Sequence, residues 1–173
     1  MRFILIIYFV FFISERVSSQ AIDSSIKSIR VYVKTIDSLN RMSTKKTGLV
    51  SSMSEGSIES TKKGGLKGRG FSRITTTSPD SDTVYLIQQH DNLEKNLYQS
   101  YYFEFDKLVF SRIELRDDDG KNITLFLQEE YYADDKVVLS SIDGNKLKKK
   151  YKWRTDFDHM ASGYSYLREF KKG

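Results

Sequence analysis

Downstream of residue 20, Ile22, Ile26, Ile29, Val33 and Ile36 recur at helical spacing, and Tyr32 and Leu39 widen the stripe. Asp23 or Ser24 suits the start of such a helix, and polar Asn40 to Thr47 its end. An apolar stripe this wide needs a surface to cover it. The opposite face (Asp23, Lys27, Ser28, Lys34, Asp37, Ser38) mixes charge signs, which does not suit a membrane-surface helix, so the expected cover is a sheet. Further along, the period changes to two. Phe71 to Thr77, Asp82 to Gln89, Lys95 to Phe105, Leu108 to Leu115, Asn122 to Tyr132 and Lys136 to Ile142 read as strands. Ser78-Pro79-Asp80, His90-Asp91-Asn92, Asp117-Asp118-Asp119-Gly120 and Asp143-Gly144-Asn145 read as the turns that punctuate them. In the second strand Val84 and Leu86 alternate with Tyr85 and Ile87. Residues 43–70, rich in Ser, Thr, Gly and Lys, read as loosely structured, with one short strand at Gly56 to Ser60. Between Thr155 and Lys172, Phe157, Met160, Ala161, Tyr164, Leu167 and Phe170 fall at near-helical intervals, interrupted by Gly163. The expected fold is α+β: an N-terminal helix packed on an antiparallel meander of roughly six or seven strands, with a C-terminal helix, in a single domain over residues 20–173.

Within that meander, Tyr101-Tyr102-Phe103-Glu104-Phe105-Asp106-Lys107-Leu108-Val109-Phe110-Ser111 returns, one residue shorter, as Tyr131-Tyr132-Ala133-Asp134-Asp135-Lys136-Val137-Val138-Leu139-Ser140. Aromatic and β-branched residues around an acidic pivot suit a hairpin. A two-residue turn at Asp106–Lys107 would put Tyr101, Phe103, Phe105, Leu108 and Phe110 on one face, and Tyr102, Glu104, Val109 and Ser111 on the other. A helix, then Ser54-Glu55-Gly56, then repeated YYF…DKL hairpins and a charged closing helix resembles a group of uncharacterised secreted bacterial proteins. In those, an N-terminal helix precedes an antiparallel sheet whose hairpins read YYF-D-x-G-K-L. This chain departs from that pattern in having no glycine at Asp106–Lys107 or Asp135–Lys136. The resemblance implies the fold and carries no activity or functional residue with it.

Charge and composition add a location. Arg2, the apolar run Phe3 to Ile13, and Val17-Ser18-Ser19 follow the order of a secretory signal over residues 1–19. The run is shorter than the roughly 20 residues of a spanning helix. An uncleaved anchor is the alternative, since Glu15 and Arg16 lie close to the cut. The chain has no cysteine, which excludes a disulfide framework, a thiolate metal site and a lipid-modified cysteine. An exported chain held by its core alone fits a bacterial periplasmic or secreted protein, and the Asn122-Ile123-Thr124 sequon is then accidental.

Candidate chemistry is sparse. The two histidines, His90 and His159, are in no zinc-binding spacing, and no G-x-S-x-G elbow supports a Ser-His-Asp arrangement. Asp117, Asp118, Asp119 and Asn122 lack the alternating ligands of a calcium loop. No metal or cofactor is expected. Glu129, Glu130, Asp134 and Asp135 offer a carboxylate pair of the kind a glycan- or cell-wall-acting hydrolase uses, or the solvated end of a hairpin. Lys62 to Gly70 is basic and glycine-rich without the order of a phosphate-binding loop. In Lys146-Leu147-Lys148-Lys149-Lys150-Tyr151-Lys152-Trp153-Arg154, cations alternate with rings. Lys146, Lys148, Lys149, Lys150, Lys152, Trp153 and Arg154 therefore form a candidate surface for an anionic glycan, a lipid head group or an acidic protein face; nucleic acid does not suit an exported chain. The plainer reading is a solvated strand with Trp153 in the core. The expected function is an exported, non-enzymatic binding or interaction protein, presenting a sheet face or the hairpin tips to a macromolecule. The alternative is a hydrolase acting through the hairpin acids.

Overall fold

The computed structural model describes residues 2–42, 47–58, 69–92, 96–117, 123–144 and 155–173. Helix α1 (Arg2–Arg41) is followed by strands β1 (Val50–Ile58), β2 (Arg69–Thr77), β3 (Val84–Asp91), β4 (Asn96–Glu104), β5 (Lys107–Arg116), β6 (Thr124–Ala133) and β7 (Lys136–Asp143), then helix α2 (His159–Lys172). The strands form one antiparallel sheet in the order β1-β2-β3-β4-β5-β6-β7, so each pairs only with its neighbours in sequence. The expected α+β architecture is the observed one. The helices cover opposite faces, and the middle of the sheet is therefore buried on both sides.

On one face, Ile26, Ile29, Val33 and Ile36 of α1 pack on Leu86, Tyr102, Phe110 and Tyr131 from β3 to β6. This is the stripe read from the 3.6-residue period, except that Ile22 is exposed. Polar groups fix its registry: the Tyr102 hydroxyl donates to Asp37 at 2.5 Å, and the Tyr32 hydroxyl donates to the Phe103 carbonyl. Asn40 bridges Thr76 and Gln88 at 3.2 Å each. The helix start expected at Asp23 or Ser24 is not used, because α1 is continuous back to Arg2 and no glycine or proline interrupts residues 14–25. Among the described residues no helix is long and apolar enough to cross a membrane.

On the other face, Leu167 of α2 packs on Val84, Ile87, Leu97, Tyr101, Phe103, Leu108, Ile113, Leu115, Phe126 and Tyr132. The helix begins at His159 rather than Thr155, because the Asp158 carboxylate caps it by accepting from the Ala161 N–H at 2.9 Å. Gly163 is what lets α2 come close. A β-carbon there would lie 2.8 Å from Cδ1 of Tyr101 and 3.3 Å from Cδ2 of Leu108. The residue that weakens the helical pattern in sequence is thus the point of contact between helix and sheet.

Four local readings are corrected by the structure. The central hairpin turns on Phe105–Asp106, with Glu104 opposite Lys107, and not on Asp106–Lys107. The next one turns on Asp134–Asp135, with Ala133 opposite Lys136. In both, the strand after the turn carries one extra residue (Val109, Val138), so that Tyr102 faces Phe110 and Tyr131 faces Leu139. Phe110 therefore joins Tyr102 under α1, Phe103 and Leu108 lie under α2, and Phe105 leaves the core. A similar irregularity at Tyr85 breaks the expected alternation, placing Val84 and Ile87 together under α2. Within 43–70, Val50–Ile58 is a full nine-residue edge strand rather than a fragment at Gly56.

Candidate functional site

The basic segment Lys146, Lys148, Lys149, Lys150, Lys152, Trp153 and Arg154 lies outside the described residues, as do 59–68 of the glycine-rich stretch and 118–122 of the acidic turn. Arg73, next to that stretch, pairs with Glu169 of α2 at 2.7 Å and lies 4.1 Å over the Tyr166 ring.

The hairpin carboxylates are not gathered into a pair. Glu129 holds Arg112 on the α1 face, with its Oε1 2.9 Å from Nη2. Glu130 points to the α2 face, where it accepts from the Tyr132 hydroxyl at 2.6 Å and from Gln128 at 2.8 Å. Asp135 sits at a turn and accepts from the Tyr164 hydroxyl. Successive side chains of a strand point to opposite faces, so Glu129 and Glu130 are adjacent in sequence and separated by the sheet.

Glu130 belongs to a buried polar cluster that the sequence did not reveal. His159 Nδ1 lies 3.4 Å from Ser111 Oγ and 3.7 Å from Glu130 Oε2, and Ser111 Oγ lies 2.9 Å from the Tyr132 hydroxyl. Serine, histidine and carboxylate meet here, but not in catalytic order. A Ser-His-acid relay needs the hydroxyl on one ring nitrogen and the acid on the other. Here both approach Nδ1, while Nε2 has no hydrogen-bond partner among the described residues. Ser111 is 0% exposed, out of reach of any substrate. Burial lowers the pKa of His159, against the opposing pull of Glu130 and Asp158, so the ring is held neutral. Among the described residues no group of acids and histidines could hold a metal ion.

The hairpin tips are built differently. Phe105 and Asp106 have φ of 50° and 62°, and Asp134 and Asp135 have 49° and 56°. Both tips are therefore two-residue turns with two left-handed positions, the kind whose twist matches the flanking strands. Asp tolerates that conformation; a bulky side chain at positive φ is an outlier. Phe105 is 87% exposed and recovers nothing by burial. Its surroundings are nonetheless rigidly tied. The Tyr164 hydroxyl of α2 donates to Asp135 and accepts the Leu108 N–H at 3.1 Å, bridging the two hairpins. Lys171 pairs with Asp106, and Tyr32 of α1 holds the Phe103 carbonyl from the other side. An exposed aromatic ring in a strained conformation stands on a fixed mount. No period or composition marks Phe105 out, since its role depends on which two residues make the turn.

No protein family matches the chain, no curated protein is similar to it in sequence, and no solved structure matches its fold.

Proposed function

We propose that the chain is an exported, non-enzymatic binding protein that presents the β4–β5 hairpin tip, with Phe105 as anchor, to an apolar pocket on a macromolecular partner. The observation that carries this reading is the pairing of backbone strain with exposure at Phe105. Strain of this kind concentrates at functional positions, and aromatic side chains dominate the energetics of interfaces. The ties from Tyr164, Lys171 and Tyr32 support the same reading, because a pre-ordered anchor loses little entropy on binding. The dispersal of the hairpin acids and the sealing of Ser111 favour binding over hydrolysis. Export rests on the signal-like residues 1–19.

A photo-crosslinking residue placed at position 105 tests this in exporting cells, with the same residue at the equivalent turn position 134 as control. The expected outcome is a discrete adduct from position 105 that is absent from position 134. No adduct at 105, or the same adducts at both tips, overturns the proposal.

A further inference from the structure

At the opposite end of the sheet from Phe105, a second feature is built on the α1 face, independently of the hairpin tip. A cross-strand row runs Glu55, Ser72, His90, Tyr98 over β1 to β4. His90 is in strand β3 and not in the turn where its neighbours Asp91 and Asn92 suggest it. Its ring lies flat on Tyr98, with centroids 4.3 Å apart and planes 8° from parallel, and its Nε2 is 3.1 Å from Asn96 Oδ1. The Arg116 guanidinium lies 4.4 Å over the Tyr98 ring, necessarily on the face that His90 does not cover. Glu114 holds that guanidinium from Nε and Nη2, at 2.8 Å each. These bonds keep the Glu114 carboxyl below its ordinary pKa.

The stack Arg116–Tyr98–His90 ends at His90. Its outer face is turned toward β2, where Ser72 is the residue opposite and Gly70, two positions before it, has no side chain. A cleft of about 430 Å³ opens there, lined by Glu55, Gly56, Ser57, Gly70, Phe71, Ser72, His90 and Asn92. Two strand spacings of about 4.8 Å separate β1 from β3, enough for one planar group beside the His90 ring with a carboxylate reaching its edge. Glu55 is the acid of the lining, and it is exposed. The molecule already holds one arginine in this way: Arg116 lies over the Tyr98 ring and its edge is hydrogen-bonded by Glu114. The cleft repeats the ring face and the carboxylate.

We propose that the cleft receives the guanidinium of an arginine on a partner polypeptide, stacked on the free face of His90 and hydrogen-bonded by Glu55. The planar, delocalised guanidinium suits such stacking and a two-point carboxylate contact, whereas an ammonium is a strongly hydrated point charge that cannot lie flat on a ring or present two parallel donors to a carboxylate.

The two histidines make the test direct, since His90 lines the cleft and His159 is sealed on the other side of the sheet. Ring resonances of both are followed by NMR while a blocked arginine tripeptide is added, then its lysine and citrulline counterparts. The expected result is a saturable shift of His90 with His159 unmoved, and binding of the lysine and citrulline peptides weaker by about fivefold or more. E55Q, on an exposed side chain, should weaken the arginine peptide by about fivefold, and S72L should block it by filling the floor. An unmoved His90, equal response to lysine or citrulline, or full binding by E55Q overturns the proposal.

Discussion

The β4–β5 and β6–β7 hairpins have the same two-residue turn, the same extra residue after it and the same lysine closing it, yet they place different side chains in the first left-handed position. In register, Tyr102 matches Tyr131 and Phe103 matches Tyr132, so residues 102–111 align with 131–140 without a gap. The apparent one-residue shortening in sequence comes from pairing the wrong tyrosines. Asp134 fills its position at little cost. Phe105 fills the same position with a ring that the fold does not bury. The contrast separates what a hairpin needs in order to form from what this one carries in addition. A second difference lies below the turn. Phe103 and its equivalent Tyr132 both lie in the cluster under α2, but Tyr132 carries a hydroxyl there, which donates to Glu130 beside His159.

The largest effect expected between the hairpins follows from their position in the sheet. Leu108 is 3% exposed beneath Gly163, and its equivalent Val137 on the outer strand is 47% exposed. Leu108→Ala should lower unfolding free energy by about 2–5 kcal/mol, and Val137→Ala by less than about 0.5 kcal/mol, in urea titrations. Equal losses would show that the two hairpins are buried alike.

A smaller separation should appear with pH. Because burial lowers the His159 pKa, the unfolded chain binds a proton that the folded chain resists. Stability is then fully present above the unfolded value of about 6.5 and declines as pH falls below it. The charged groups facing the ring, Glu130 and Asp158, oppose this without reversing it. His159→Phe should lose less stability than the parent between pH 7.5 and pH 5.5, with His90 common to both proteins. Parallel pH profiles would remove His159 as the cause.

The smallest effect bears most directly on function. Phe105→Asp should raise stability by about 1 kcal/mol, and Asp134→Phe should lower it by a similar amount, since a left-handed conformation costs an ordinary L-residue about 1–2 kcal/mol. If Phe105→Asp is neutral or destabilising, the ring contributes to the fold and the reading of an exposed anchor loses its physical basis.

Much of the fold was legible because its patterns are consistent. The stripe Ile26, Ile29, Val33, Ile36 has a single period, and the inner strands carry enough aromatic and β-branched residues to declare themselves. Val50–Ile58 escaped because a serine-rich edge strand has no alternation of its own; its partner β2 makes it a strand. The turn at Phe105 was misplaced because composition favours the polar Asp-Lys pair, and the choice is settled by backbone twist. Irregularities at Tyr85, Val109 and Val138 shift faces without leaving a trace in residue type. The site was less legible still. Stacking of His90 on Tyr98 depends on the register of β3 with β4, and the cluster around His159 draws on two strands and a helix remote in sequence.

The strictly sequential strand order has a kinetic consequence. Each pairing joins strands that are neighbours in sequence, so its entropic cost is low and the sheet can grow hairpin by hairpin. The two helices join from the chain ends, and α1 must cross back over strands far from it in sequence, which makes its docking the long-range event. Backbone amide exchange should accordingly be slowest in β4 and β5, the central strands that contribute most side chains to the two clusters, and fastest in β1 and β7. Phe105 is thus mounted where the molecule opens last.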